Sequence, residues 1–94
     1  IPDESVIQPV YPNPFKTGLT IKFDIKKMAK VKMDAYNSAG ELVSNLVNEK
    51  IAPGSHSVIW NGKNNAGKPA ANGVYYIRMH MAGKIYTQKA VLVE

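Results

Sequence analysis

The sequence predicts an all-β fold, built as an antiparallel β-sandwich of about seven short strands. Three observations predict it. Apolar and polar residues alternate with a period of two in most segments, turn-forming residues separate these segments, and no segment has a helical pattern without a competing strand pattern. The chain has 94 residues, which is enough to bury one hydrophobic core, so we expect a single domain.

The first two clear strands are predicted at residues 19–25 and 30–35. In the first strand every second residue is apolar, namely Leu19, Ile21, Phe23 and Ile25. The second strand is predicted to place Val31, Met33 and Ala35 inward and Lys30, Lys32 and Asp34 outward. We expect these two strands either to pair or to face each other across the core.

The middle of the chain begins with a turn, in which Gly40 suits a left-handed backbone conformation. Residues 41–47 fit both a strand and a helical i, i+3, i+4 spacing, and their short length and β-branching favour a strand. Residues 55–60 alternate again and end at Trp60, the largest candidate for the core. Residues 61–73 contain three glycines and four asparagines, so they are predicted to form a long loop.

The last two strands are predicted to form a hairpin. Residues 73–81 and 84–93 both have strand composition, and Ala82-Gly83 between them suits a tight turn. Together with one N-terminal strand they give about seven strands, which makes the predicted sandwich immunoglobulin-like.

The N-terminal strand is predicted near Val6 to Val10. Four of the first fifteen residues are proline, which cannot donate a hydrogen bond to a β-ladder. Residues 1–15 are therefore predicted to be a proline-rich leading segment with the first edge strand. Residues 16–94 form the remainder of the single sandwich domain.

The composition argues against several functional classes. The net charge of +5 comes from 11 lysines and one arginine against seven carboxylates. Such a lysine-rich excess is more typical of a soluble surface than of phosphate recognition, so we expect no nucleic-acid partner. The absence of cysteine excludes disulfides, thiolate catalysis and cysteine-based metal sites. No apolar run reaches the roughly 18 residues of a transmembrane helix.

The sequence contains no recognisable catalytic or metal-binding arrangement. His56 and His80 have no Cys, Asp or Glu at metal-ligand spacing. No serine lies in a nucleophile elbow or an S-x-x-K motif. Four carboxylates are predicted on outward strand faces or turns, where they would be solvated: Asp24, Asp34, Glu41 and Glu49. We therefore expect no enzymatic activity, no metal and no cofactor.

Residues 60–67 form an oxygen-rich segment that invites a calcium hypothesis. However, residues 50–93 contain no Asp or Glu, and Lys63 and Lys68 flank this segment. Because calcium sites in proteins use carboxylate ligands, the favoured interpretation of the asparagines is that they stabilise left-handed turns.

Short motifs follow one another in a fixed order along most of the chain. They are Tyr11-Pro12-Asn13-Pro14-Phe15, Val31 to Tyr36-Asn37, Gly40-Glu41-Leu42-Val43, Gly54-Ser55-His56, Trp60-Asn61-Gly62-Lys63, Gly67, Asn72-Gly73-Val74-Tyr75-Tyr76 and Lys89-Ala90-Val91-Leu92-Val93. Over about residues 8–94 this set resembles the C-terminal sorting domains (type A) of type IX secretion cargo proteins. It is also similar to the immunoglobulin-like domain of flagellar hook-capping proteins. One departure is Asn61, where the family usually has aspartate.

The resemblance implies a non-catalytic C-terminal module of a larger secreted bacterial protein, serving as an export, sorting and cell-surface attachment signal. The implied partners are the outer-membrane secretion machinery and an upstream cargo domain in the same polypeptide. The implied location is secreted or at the cell surface, after passage through the periplasm. The candidate recognition residues are Pro12, Asn13, Pro14, Gly40, Gly73, Lys89, Ala90, Val91, Leu92 and Val93.

The same residues also have structural explanations. Pro12 and Pro14 fix an extended backbone around Asn13, whose side chain can cap a turn. Gly40 and Gly73 are suited to positive φ angles. Lys89 lies on a predicted edge strand, where a lysine discourages intermolecular pairing and the open backbone is available for strand addition.

Two other functions stay open. A carbohydrate-binding accessory module of a secreted hydrolase would use Tyr75, Tyr86 or Trp60 to stack on sugar rings. An assembly domain like that of the hook cap would use contacts between subunits. Exposed aromatic residues on one face would favour carbohydrate binding, whereas buried ones would favour sorting.

Overall fold

The structure is a computed structural model that describes residues 7–93. Its six strands form two antiparallel sheets, and they are β1 (Leu19–Ile25), β2 (Ala29–Asn37), β3 (Leu42–Ile51), β4 (Gly54–Trp60), β5 (Gly73–Met81) and β6 (Lys84–Leu92). One sheet has the order β1-β4 and the other has the order β3-β2-β5-β6. The chain is therefore an all-β sandwich, as the alternation predicted. Within residues 7–93 there is no helix long and apolar enough to cross a membrane.

The two sheets pack through the residues that the period-two pattern placed inward. β1 and β2 belong to different sheets and face each other across the core, one of the two arrangements expected for them. The ambiguous segment after Gly40 is a strand, because its backbone pairs with β2 along most of its length. Ala82 and Gly83 have φ angles of 52° and 77°, which gives the tight turn predicted between β5 and β6.

The N-terminal segment differs from the strand predicted near Val6 to Val10. Val6 lies outside the described residues, and the segment after it makes only isolated bridges to β1, at Ile7 and Tyr11. The peptide bonds before Pro12 and Pro14 are cis. Because proline has no N–H to donate, this segment cannot build a continuous ladder, so the described chain has six regular strands.

The core is centred on three aromatic rings. Trp60 is 1% exposed, as predicted for the largest core candidate, and its ring centroid lies 5.4 Å from that of Phe15 and 5.2 Å from that of Tyr75. The Trp60 indole N–H donates to the Lys63 carbonyl oxygen at 2.9 Å. The core therefore joins β4, β5 and the N-terminal segment.

Asp34 is a correction to the sequence analysis, which predicted an exposed carboxylate. It is 1% exposed, although alternation along β2 still directs it to the outer face of the larger sheet. Asn45 Nδ2 donates to Oδ1 at 2.8 Å, and the Tyr36 hydroxyl donates to Oδ2 at 3.5 Å. The prediction was wrong because a period of two assigns a residue to a face but does not indicate which neighbours cover it.

The pH dependence of stability tests whether the Tyr75 phenol is buried in the core. Its hydroxyl donates to the Ala71 carbonyl oxygen, and burial raises the pKa of this phenol above its usual value. Above about pH 10 the unfolded chain therefore loses the Tyr75 proton first, so the free energy of unfolding falls as pH rises. Urea unfolding should show that the stability advantage of wild type over Tyr75→Phe shrinks between about pH 8 and about pH 10.5. An advantage that stays constant across this range would contradict the burial of the phenol.

Candidate functional site

The candidate residues from the two ends of the chain meet at one edge of the larger sheet. β6 is an edge strand, as predicted for Lys89. The Asn13 side chain lies against it: Nδ2 donates to the Lys89 carbonyl oxygen, and Oδ1 accepts from the Val91 N–H, both at 3.0 Å. Asn13 thus contributes both a donor and an acceptor, as a backbone peptide group would.

Phe15 continues this contact with its own backbone. Its N–H donates to the Val91 carbonyl oxygen at 2.8 Å, and its carbonyl oxygen accepts from the Val93 N–H at 2.9 Å. This is the hydrogen-bonding pattern of a residue paired in parallel with Leu92. Residues 13–15, named here the edge clip, therefore cover the open edge of β6 from Lys89 to Val93.

The five candidate residues from Lys89 to Val93, at the end of β6 and directly after it, divide into two groups. Ala90 and Leu92 are 0% and 4% exposed, and they contribute to the core. Lys89 is exposed, and Val91 and Val93 are half-buried. Pro12 and Pro14 are exposed on either side of Asn13. The surface that a partner could contact is therefore formed by Pro12, Pro14, Lys89, Val91 and Val93, with Asn13 holding its two halves together.

The two candidate glycines have the positive φ angles expected of them. Gly73 has φ of 148° and pairs with Leu92, so it lies next to this surface. Gly40 has φ of 84° in the turn between β2 and β3, and β5 separates β2 from β6. The structure therefore groups Gly73 with the other candidates and leaves Gly40 apart from them.

A second asparagine covers the opposite edge of the same sheet. The Asn65 N–H donates to the Val43 carbonyl oxygen, and Asn65 Oδ1 accepts from the Asn45 N–H, both at 3.0 Å. This contact was not predicted from the sequence, in which the only signal for it is the asparagine-rich composition of the loop. Because both edges of a sheet can template pairing with other chains, Asn13 and Asn65 protect the sheet in similar ways.

The loop between β4 and β5 uses its asparagine oxygens within the chain, as the turn interpretation expected. Asn61 Oδ1 accepts from the Lys63 N–H, and Asn64 Oδ1 accepts from the N–H groups of Ala66 and Lys68. Among the residues that the structure describes, no group of three or more His, Asp or Glu side chains is placed to hold a metal ion.

The aromatic residues assigned to sugar stacking require a correction. Trp60 and Tyr75 are 1% and 5% exposed and belong to the core, so neither ring can stack on a sugar. Tyr86 is half-buried and packs against the core. Alternation along β5 turns Tyr75 inward and its neighbour Tyr76 outward, as expected for adjacent residues of a strand.

Comparison with known proteins agrees with this architecture. PorU from Porphyromonas gingivalis, crystallised as a latent dimer, superimposes with a TM-score of 0.75 at 21% identity, over 99% of this chain and 10% of PorU. PorZ from the same organism has a TM-score of 0.65 at 22% identity, over 90% of this chain and 11% of PorZ. FlgD from P. aeruginosa has a TM-score of 0.58 at 22% identity, over 79% of this chain and 58% of FlgD. At these identities the likenesses show the fold alone.

The family comparison goes further than the fold. No curated protein sequence matches the chain. The FlgD Ig-like domain family matches residues 15–84, a range that begins at the last residue of the edge clip and includes β1 to β5. Because this match extends over most of the chain, the chain belongs to the FlgD Ig-like domain family.

Proposed function

We propose that this domain is a non-catalytic sorting and surface-attachment module of a longer secreted bacterial protein. In this proposal the outer-membrane secretion machinery recognises the domain, and an upstream cargo domain is carried with it through the periplasm to the cell surface. Membership in the FlgD Ig-like domain family supports the proposal of a non-catalytic module, since the immunoglobulin-like fold of this family is a structural fold. The role in export is supported by the similar fold of PorZ, which is described as an essential surface component of the type IX secretion system.

The observation that carries the proposal is the edge clip. Two segments that are 76 residues apart in sequence, at Asn13 and Lys89, form one continuous surface through hydrogen bonds. A receptor that binds this surface would contact it only in the folded domain, because the two halves separate when the chain unfolds. Recognition would thus select folded modules.

The edge clip also determines how the last strand can be recognised. Its hydrogen bonds already occupy the outward backbone groups of Val91. Recognition at Lys89 to Val93 therefore uses side chains. Strand addition is limited to the earlier half of β6, where the backbone N–H and C=O groups of Ile85 and Thr87 point to the open edge, as those of Val91 do.

An export assay can test the proposal with point variants that keep the core. Deletion of the last strand is unsuitable, because Ala90 and Leu92 are buried. A fluorescent reporter would be fused upstream of the chain in a bacterium with type IX export. Export of the Asn13→Ala fusion should fall well below that of wild type, because the variant loses both side-chain hydrogen bonds that hold Pro12 and Pro14 against Lys89 and Val91.

Asn65→Ala is the matched control. It also removes a side-chain amide that covers an edge strand of the same sheet, but at the opposite edge. Its export should equal that of wild type, and thermal melts should show that both variants are folded. Equal export of the two asparagine variants, at equal stability, would contradict the proposal.

A further inference from the structure

The outer face of the four-stranded sheet is strongly basic. Its cationic side chains come from all four strands and are Lys30, Lys32, Lys50, Arg78 and Lys89. Asp34 is the only carboxylate that the described part of the chain places on this face, and it is buried and hydrogen-bonded to Asn45 and Tyr36. The face therefore offers several exposed positive charges and no exposed negative charge.

Two tyrosines lie side by side in the middle of this face. Tyr36 on β2 and Tyr76 on β5 are register partners, and both are half-buried. The Arg78 guanidinium lies over the Tyr36 ring at 5.3 Å from its centroid, so Tyr36 supports the cation. The next residue across the sheet from Tyr76 is Lys89 on β6. The tyrosine pair thus has one cation over the Tyr36 ring and another next to Tyr76.

Apolar side chains such as Leu42 and Ile85 also lie on this face, together with neutral hydrogen-bonding groups. The neutral hydrogen-bonding groups include Asn48 on β3, His80 on β5 and Thr87 on β6. A sugar ring presents an apolar face that stacks on an aromatic side chain and hydroxyl groups that pair with amides and hydroxyls. A carboxylated sugar adds the negative charge that pairs with arginine and lysine. From this combination we infer that the outer face of the four-stranded sheet binds an acidic polysaccharide.

Single-stranded nucleic acid fits the same face less well. Binding of this kind stacks successive bases on successive aromatic side chains. Here Arg78 already lies over the Tyr36 ring, which leaves Tyr76 as the free ring of the pair.

The test is binding of the 94-residue chain to polygalacturonate, with neutral dextran as the comparison, measured by titration calorimetry. Salt of about 0.01 M is suitable, because screening of the face is then weak. We expect binding to polygalacturonate that is stronger than to dextran and falls with added salt. Arg78→Gln should weaken it about tenfold, the effect of one charge-assisted hydrogen bond. Tyr76→Ala should also weaken it.

Lys22→Gln is the matched control. Lys22 is also an exposed cation over a tyrosine ring, at 5.7 Å from the centroid of Tyr11, but it lies on the smaller sheet. The Lys22→Gln variant loses one positive charge, as Arg78→Gln does, but its affinity for polygalacturonate should be unchanged. The inference is overturned if polygalacturonate does not bind, if both variants lose affinity equally, or if single-stranded DNA binds more tightly than polygalacturonate.

Discussion

Replacing Trp60 by alanine should lower the free energy of unfolding by about 3–5 kcal/mol. The side chain is 1% exposed, contacts the Phe15 and Tyr75 rings, and donates its indole N–H to the Lys63 carbonyl oxygen. Its removal leaves a large cavity between the sheets. Because small domains have about 5–15 kcal/mol of stability in total, much of the variant should be unfolded at moderate temperature. Urea unfolding followed by far-ultraviolet circular dichroism measures this without tryptophan fluorescence.

The neighbouring residue on the same strand is a suitable control. Ile59 is 68% exposed, so Ile59→Ala should change stability by less than about 0.5 kcal/mol. Trp60→Phe should have an intermediate effect, since it keeps one ring in the core but loses the hydrogen bond to Lys63. A loss below about 1 kcal/mol for Trp60→Ala would contradict its position in the core.

Phe15→Ala should have an effect of similar size, also about 3–5 kcal/mol, and an additional local one. Phe15 is 0% exposed, and an added Cβ on Gly62 would lie 3.6 Å from its ring. The ring holds the edge clip in place while its backbone bonds Val91 and Val93. We therefore expect hydrogen exchange to show that the Val93 amide, directly after β6, exchanges with solvent at lower denaturant than the amides of β6.

Tyr11→Ala separates this effect from general loosening of the N-terminal segment. Tyr11 is 46% exposed. Its two hydrogen bonds with Thr20 are made by the backbone, so the alanine variant keeps them. Loss of the Tyr11 side chain should cost less than about 1 kcal/mol and leave exchange at Val93 unchanged. If Phe15→Ala left the Val93 amide as protected as the amides of β6, Phe15 would not be the anchor of the edge clip.

The strands could be predicted because alternation is a local property. Side chains of a strand point to opposite faces in turn, so Leu19, Ile21 and Phe23 reveal an inner face without any knowledge of the partner strand. Turn residues are also local: Ala82-Gly83 suits a tight turn whatever lies around it. The N-terminal strand was the exception, since its prolines prevent the ladder that its apolar residues suggest.

The candidate site could be predicted only as a set of residues. The resemblance placed Asn13 and Lys89 in the same set, but nothing in the sequence indicated that the side chain of one bonds the backbone of the other. The aromatic residues are a similar case. Adjacent residues of a strand such as Tyr75 and Tyr76 point to opposite faces, but this rule alone does not indicate that Tyr76 lies on the basic face beside Tyr36.

The sequence by itself determined the all-β class, the inward residues of β1 and β2, the turns and Trp60 as a core residue, because these depend on near neighbours along the chain. Only the tertiary structure decided that β1 pairs with β4, that Asn45 and Tyr36 cover Asp34, and that the edge clip joins both ends of the domain. These features depend on contacts between distant segments. Such contacts form only when two sheets bury a common core, and the order of the strands then brings together side chains that are far apart in sequence.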